Sequence, residues 1–260
     1  LGLVGSEMCI RDSGNGRVFI PSFQRTQGQG CWRRMQFSVH KIFSAEKYFF
    51  SSRQYQLMPR ESRQSKSERM ELVIACLRED YPEAKCSLDY RDAHQLLVAT
   101  ILSAQCTDKR VNMVTPGLFE KYRSAVDFAY CDVNELSKDI RSTGYHNQKA
   151  RSIQGTSLVI IEEFGGEVPR TMDQLLTLPG VGRKTANCVL GTAFEIPAVV
   201  VDTHMIRIMN LLGFTNQRDP VKIESEIMKI TPESDWVILT HLVIEHGRHV
   251  CIARRPQCNN

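Results

Sequence analysis

The chain lacks any long apolar run. No stretch of its 260 residues approaches the roughly 18 apolar residues that a membrane-spanning helix needs, so we expect no membrane partner. The nine cysteines do not form a paired framework, which argues against a disulfide scaffold and favours a reducing compartment such as the cytoplasm. The composition is 42% hydrophobic, which is enough for the core of one or two domains.

A strong basic charge is also missing from the part of the chain that is expected to fold. The net charge is +4, but residues 1–66 hold 11 basic and 4 acidic residues, a balance of +7. The remaining residues hold 22 basic and 25 acidic residues, a balance of −3. Global charge is therefore weak support for a nucleic-acid partner. A DNA-binding face would have to come from local placement of cations, namely Arg183, Lys184, Lys149 and Arg151.

Residues 1–66 lack sustained hydrophobic periodicity and are rich in Ser, Arg, Gln and Gly. Residues 1–13 resemble a translated sequencing adapter. The remainder fits either a transit peptide, rich in Ser and Arg, or translated upstream sequence with a true start at Met58 or Met70. We expect a disordered or non-native leader, with the artefact favoured over the transit peptide, and exclude it from the fold.

Strand patterns are almost absent from the rest of the chain. Only residues 198–201 have the composition of a strand, and four residues are too few to insist on one. Helical spacing with capping residues dominates instead, as where Asp92 precedes the apolar residues 96–102, or where Ser65 and Glu68 form a capping box. The sequence therefore predicts an all-α fold with helices joined by short loops.

The most informative segment is LPGVGRKTAN at residues 178–187, with VDT following at 201–203. Gly180 and Gly182 flank a tight turn, and glycine lets a second backbone approach closely. Free N–H groups at the start of the following helix favour an anion, so the turn is suited to clamp one DNA phosphate. Taken alone, the same residues fit an ordinary connection between two helices.

Lys184 lies in the first turn of that following helix, where the helix dipole disfavours its ammonium form. If the side chain is also partly desolvated, the free amine becomes a nucleophile. By themselves the residues leave blander alternatives open, because Lys184 could be a solvated surface lysine. Asp202 could likewise be only the N-cap of the next helix.

In combination with VDTH at residues 201–204, LPGVGRKTAN resembles the helix-hairpin-helix DNA glycosylases, and in particular the endonuclease III family. The likeness runs from about residue 68 to the C-terminus. It includes LLVATILSAQCTDKRVN at 96–112, GYHNQKA at 144–150 and CIARRPQC at 251–258. Four matches in the same order make chance similarity an inadequate explanation.

The resemblance implies a helix-hairpin-helix glycosylase fold of two helical lobes with a DNA cleft between them. One lobe is a helical barrel at residues 88–197 that carries the hairpin. The other lobe consists of residues 67–87 together with 198–260. Neither boundary is visible in the composition.

The resemblance also implies a bifunctional DNA glycosylase and abasic-site lyase of base excision repair, which removes oxidised pyrimidines and cleaves the strand by β-elimination. Lys184 would attack the sugar C1′ and form a Schiff base, and Asp202 would help deprotonate it or stabilise positive charge on the sugar. The implied partner is double-stranded DNA with a damaged base or an abasic site, bound by a monomer. The alternatives are a non-catalytic helix-hairpin-helix DNA-binding module and a glycosylase of another base specificity.

The same likeness implies the residues that contact DNA. Gln105 would fill the hole left by the flipped base and hydrogen-bond the orphaned partner base. Tyr145 occupies a wedge position that is usually aliphatic in the family, and it could stack on a base. Without the family, Gln105 would be a helix C-terminal glutamine and Tyr145 an aromatic that anchors its loop. The other implied contacts are Leu178, Gly180, Val181, Gly182, Arg183 and Lys149.

Cys251 and Cys258 are separated by six residues. In the family this pair begins a C-x6-C-x2-C-x5-C run, which binds a [4Fe–4S] cluster through four thiolates. The third ligand would fall at position 261, after Asn260, so the sequence supplies two of the four. We expect the cluster in the full-length protein, and an incomplete or absent cluster with these 260 residues alone.

Overall fold

A computed structural model of the chain describes residues 61–258. The predictions for the leader at residues 1–60 lie outside this range. Within it the chain contains helices and no strand, so the all-α prediction is confirmed for the described part. No helix in these residues is both long and apolar enough to cross a membrane.

Eleven α-helices and two short 3₁₀ turns account for the regular structure of residues 61–258. The α-helices are α1 (Arg63–Asp80), α2 (Ala93–Leu102), α3 (Asp108–Lys121), α4 (Ala125–Ala129), α5 (Val133–Asp139), α6 (His146–Phe164), α7 (Met172–Thr177), α8 (Arg183–Ala193), α9 (Thr203–Leu211), α10 (Pro220–Met228) and α11 (Trp236–His249). The 3₁₀ turns are Arg141–Thr143 and Glu233–Asp235.

Short polar side chains set where several helices begin, because they accept a backbone N–H that has no partner inside the helix. Asp92 accepts from the Gln95 amide at 2.8 Å at the start of α2, as predicted. Helix α1 begins earlier than the predicted capping box, since Ser62 accepts from the Ser65 amide at 3.1 Å. Residues 63–66 are therefore helical rather than part of a disordered leader.

The buried apolar side chains form two clusters. The first extends from Leu88 to Ala198 and includes residues of α2 to α8. The second combines α1 with residues from Val199 to Val243, so that the two ends of the described chain share one core. Helix α11 contacts both α1 and α9 in this second cluster. We propose from these clusters that the chain divides into two lobes near residue 198.

Helix α6 positions most of the candidate site, because it packs against α2, α4 and α5 inside the first cluster. It begins at His146 without a side-chain cap and ends at Gly165, whose φ of 63° allows the chain to leave the helix. Its buried polar side chains include Lys149, Ser152 and Thr156. These side chains contact the turns near Leu102, Thr143 and Gly180, as described below.

Candidate active site

The turn at residues 178–182 joins α7 to α8 and is braced by α6. Gly180 has a φ of +79°, a conformation that glycine adopts without steric cost. A Cβ at this position would also lie 2.6 Å from both Cβ and Oγ of Ser152. The Thr156 hydroxyl donates to the carbonyl oxygen of Pro179 at 2.6 Å. The glycine is thus required both for its backbone conformation and for the close approach of α6.

The two apolar residues of the turn do not face solvent. Leu178 and Val181 are buried in the first core cluster, so a DNA contact by either is restricted to its backbone. Gly182 is exposed, and a Cβ added there would meet no atom within 4 Å. It is the N-cap of α8 and has a φ of −97°, which any residue can adopt. Gly182 is therefore the open face of the turn.

Lys184 is the second residue of α8 and is exposed. Among residues 61–258, no hydrogen bond or ion pair engages its ammonium group. The helix N-terminus that disfavours the ammonium form is present as predicted. The partial desolvation is not supplied by the protein itself, because the side chain lies at the surface.

Asp202 is the N-cap of α9, and its Oδ1 accepts from the Met205 amide at 2.8 Å. Residues 198–201, which have the composition of a strand, are not part of a strand in the structure. Asn187 of α8 donates from Nδ2 to the Val199 carbonyl oxygen at 2.9 Å. Asn187, at the end of the LPGVGRKTAN motif, thereby fastens the approach to Asp202 onto the helix that carries Lys184.

His204, which the sequence analysis did not single out although it closes VDTH, lies in the electrostatic field of both predicted catalytic residues. Burial lowers the pKa of the His204 ring, the Asp202 carboxylate opposes this shift, and Lys184 adds to it. The ring also lies close to α11, because a Cβ on Gly247 would be only 2.3 Å from its Nδ1. The His204 ring is therefore influenced by the charges of both predicted catalytic residues.

Arg183 is held by an ion pair that the sequence did not predict. Its Nε donates to Glu224 Oε2 at 2.7 Å and its Nη2 donates to Oε1 at 2.8 Å. The Glu224 side chain is only 7% exposed, so it depends on this bidentate partner. The pairing is at odds with the predicted DNA contact of Arg183, because the guanidinium already joins α8 to α10.

Lys149 also differs from its predicted role. The residue is 5% exposed, and its Nζ donates to the carbonyl oxygens of Leu102 and Thr143, each at 2.8 Å. Desolvation by burial lowers the pKa of its ammonium group. The DNA contact of Lys149 therefore stays a prediction, and it is at odds with a buried ammonium that already has two carbonyl partners.

Gln105 and Tyr145 are both exposed at the ends of turns, as a DNA-probing role requires. Gln105 follows α2 with a φ of +54°, and Tyr145 precedes α6 with a φ of +49°. The Tyr145 side chain is 68% exposed. A left-handed conformation costs a non-glycine residue about 1–3 kcal/mol and persists only where the surroundings impose it. Glu195 is the third described non-glycine residue with a positive φ, at +55°, so the DNA-probing role of Gln105 and Tyr145 stays a prediction.

Cys251 and Cys258 follow α11 in an irregular segment. Arg207 Nη1 donates to the Cys251 sulfur at 3.0 Å. Cys258 is exposed. In the described part of the chain, no group of three or more histidines, cysteines and carboxylates could hold a metal ion. The described residues thus offer two of the four thiolates that a [4Fe–4S] cluster takes and do not by themselves fit that group.

Residues 98–233 match the HhH-GPD superfamily of base excision DNA repair proteins. The chain is 53% identical over 195 residues to endonuclease III of Synechocystis, which covers 75% of this chain and 89% of the relative. It is similar to a chain in a non-covalent endonuclease III–DNA complex, with a TM-score of 0.72 and 45% identity over 75% of this chain and 91% of that chain. A trapped covalent endonuclease III–DNA intermediate has a TM-score of 0.72 and 44% identity, covering 75% of this chain and 92% of that chain.

Fold and site together define a helix-hairpin-helix protein of base excision DNA repair. The identity of 53% over 195 residues then places the chain in one family within that class. The chain belongs to the endonuclease III family, which confirms the resemblance drawn from its motifs.

Proposed function

We propose that this chain, a DNA glycosylase and abasic-site lyase of base excision repair, uses Lys184 as its nucleophile on oxidised pyrimidines in double-stranded DNA. The observation that carries the proposal is an exposed lysine without a partner among the described residues, one residue into a helix behind a glycine turn. Most exposed lysines have no such placement at a helix N-terminus that can also hold a phosphate.

The deprotonated Nζ of Lys184 attacks C1′ of the damaged nucleotide, and the bond between C1′ and the base breaks. The base leaves with the bonding electrons and takes up a proton. Opening of the sugar ring then gives a Schiff base between Lys184 and C1′. Loss of a proton from C2′ expels the 3′ phosphate by β-elimination, and hydrolysis frees the lysine. Because the fold leaves Lys184 exposed, bound DNA supplies the desolvation that favours its neutral form.

Asp202 supplies the carboxylate that assists this step. Its Oδ1 is occupied by the Met205 amide, whereas no donor in the described part of the chain reaches Oδ2. The cap fixes the carboxylate, and Oδ2 accepts the ammonium proton of Lys184 or faces positive charge developing on the sugar. Positioned acid–base groups contribute about 10²- to 10⁴-fold to rate.

Recognition uses backbone groups and two exposed side chains. The N–H groups at the start of α8 behind Gly182 face one phosphate, which fixes the protein on the duplex without reading sequence. Gln105 enters the space that the extruded base leaves, and Tyr145 parts the stacked bases beside it. Opening the stack costs a few kcal/mol, which these two side chains offset.

The endonuclease III family is generally associated with a [4Fe–4S] cluster. We propose that Cys251 and Cys258 are ligands of such a cluster, with the remaining ligands supplied from outside residues 61–258. The reaction steps above use Lys184 on α8 and Asp202 at the N-cap of α9, and none is routed through the cysteine segment.

Borohydride trapping on a duplex with one abasic site tests the proposal directly. The wild-type chain should give a covalent complex, and Lys184→Gln should give none while binding the same duplex within several-fold. Lys138→Gln, which changes another exposed helical lysine on α5, is the matched control and should trap normally. Undiminished trapping by Lys184→Gln would remove the lysine from the mechanism. Binding without trapping by the wild-type chain would indicate a DNA-binding module instead.

A further inference from the structure

Lys149 is unusual in this fold, because no other lysine among residues 61–258 is buried. Removing an ammonium from water is unfavourable unless strong acceptors replace the water. Here two main-chain carbonyl oxygens do so, each 2.8 Å from Nζ. A cation that is buried at this cost and paired with backbone alone holds particular backbone segments in place.

The two segments that it joins are far apart in sequence. Leu102, 47 residues before Lys149, is the last residue of α2, where carbonyls have no partner inside the helix. Thr143 is the last residue of the 3₁₀ turn Arg141–Thr143. The ammonium also opposes the negative end of the α2 dipole. One side chain therefore satisfies the ends of two elements.

Each of these ends leads directly to a strained and exposed residue. Gln105 lies three residues after Leu102, and Tyr145 lies two residues after Thr143. Both have positive φ, at +54° and +49°. A non-glycine residue keeps such a conformation only when its surroundings determine it. The carbonyls held by Lys149 are part of those surroundings for both turns.

We propose that Lys149 is a positioning residue that couples the Gln105 turn to the Tyr145 turn, so that both side chains enter duplex DNA at one fixed spacing. The proposal rests on the function assigned above to Gln105 and Tyr145. Gln105 fills the hole left by the extruded base, and Tyr145 parts the stacked bases beside it. Both actions are needed only when an opposite strand is present. An abasic site in single-stranded DNA needs neither, since it has no orphaned partner base.

The experiment compares duplex with single-stranded DNA for variants at position 149. Lys149→Met shortens the unbranched side chain by one atom and removes its donors. We expect its kcat/KM on an oxidised pyrimidine in duplex DNA to fall at least tenfold, while borohydride trapping on single-stranded abasic DNA stays within twofold of wild type. Lys149→Arg keeps donors for both carbonyls and should recover most of the duplex activity.

Ile160→Val, which removes a methyl group from a fully buried residue further along α6, controls for a general loss of stability. It should not lower activity on duplex DNA selectively over trapping on single-stranded DNA. If Lys149→Met does not fold, Lys149→Gln carries the same test, because its amide is uncharged and ends one bond nearer the backbone than Nζ does. Combining Lys149→Met with Gln105→Ala should cost less than the sum of the two single effects, since both act through one turn.

Equal losses on duplex and single-stranded DNA, or no loss on either, would overturn the coupling and leave Lys149 a structural residue. Those outcomes differ from failure of the proposed function, in which Lys184→Gln would still trap. A Gln105→Ala variant with full duplex activity would instead remove Gln105 from recognition, and Lys149→Met would then have to act through Tyr145 alone.

Discussion

Lys149 and Lys184 both lie near the start of a helix, but the fold gives the two side chains opposite surroundings. Each lies in the first turn of its helix, α6 or α8, where the helix dipole disfavours an ammonium group. Lys149 is buried and donates to two carbonyls from other elements. Lys184 is exposed and has no partner in the described part of the chain. Tertiary acceptors, rather than helix position, decide which lysine remains free for chemistry.

The two lysines also differ in what holds the backbone around them in place. The region around Lys149 contains strained residues that one ammonium holds in place. The region around Lys184 is fixed by other groups: Ser152 and Thr156 brace the turn, and Asn187 fastens the approach to Asp202. The fold therefore positions Lys184 without using its own amine, which leaves that amine available. Removing Lys184 should impair the reaction, whereas removing Lys149 should impair the framework.

Asp202→Asn should have the largest effect after loss of Lys184 itself. Asparagine caps helices nearly as well as aspartate, so α9 should remain stable. Base excision should nevertheless fall by at least two orders of magnitude, about 2.7 kcal/mol, because the proton acceptor is lost. Single-turnover excision and thermal unfolding measure the two effects separately. Near-normal excision with an unchanged melting temperature would show that Asp202 is only a cap.

Gly180→Ala and Gly182→Ala should separate bracing of the turn from contact with phosphate. At Gly180 the left-handed φ and the contact with Ser152 predict a loss of roughly 2–3 kcal/mol in stability. At Gly182 there is room for a Cβ, so stability should change by less than about 1 kcal/mol. DNA binding by Gly182→Ala should weaken equally on damaged and undamaged duplexes. A loss confined to damaged DNA would contradict the phosphate clamp.

The stability of Lys149→Met sharpens the contrast between the two lysines. The buried carbonyls of Leu102 and Thr143 would lose their donor, which costs about 1–3 kcal/mol. For a fold of this size the melting temperature should fall by roughly 2–10 °C. Lys184→Gln should change it by no more than about 2 °C, because an exposed side chain without partners is removed. Equal melting temperatures for the two variants would break the comparison.

The sequence was sufficient to predict those features that depend only on residues close by in the chain. The caps at Asp92 and Asp202, the glycine turn and the first-turn position of Lys184 depend on residues within a few positions, and each was predicted correctly. The partners of Lys149 and Arg183 could not be predicted, because Leu102 lies 47 residues away and Glu224 lies 41 residues away. A cation near a DNA-binding motif therefore resembles a DNA contact until the fold shows what it already binds.

The salt dependence of DNA binding tests whether a particular cation contacts DNA, and its expected effects are the smallest. Removing one cation that binds a phosphate should reduce the slope of log K against log salt concentration by about one. Arg183→Gln removes the guanidinium charge. Because that group is already paired with Glu224, the slope should stay unchanged, while loss of the pair should lower stability. Lys184→Gln should also leave the slope nearly unchanged, because the amine that attacks C1′ is neutral in the bound complex and pairs with no phosphate. A slope lower by about one for Arg183→Gln would show that the guanidinium leaves Glu224 to bind a phosphate, and the predicted contact of Arg183 would then be supported.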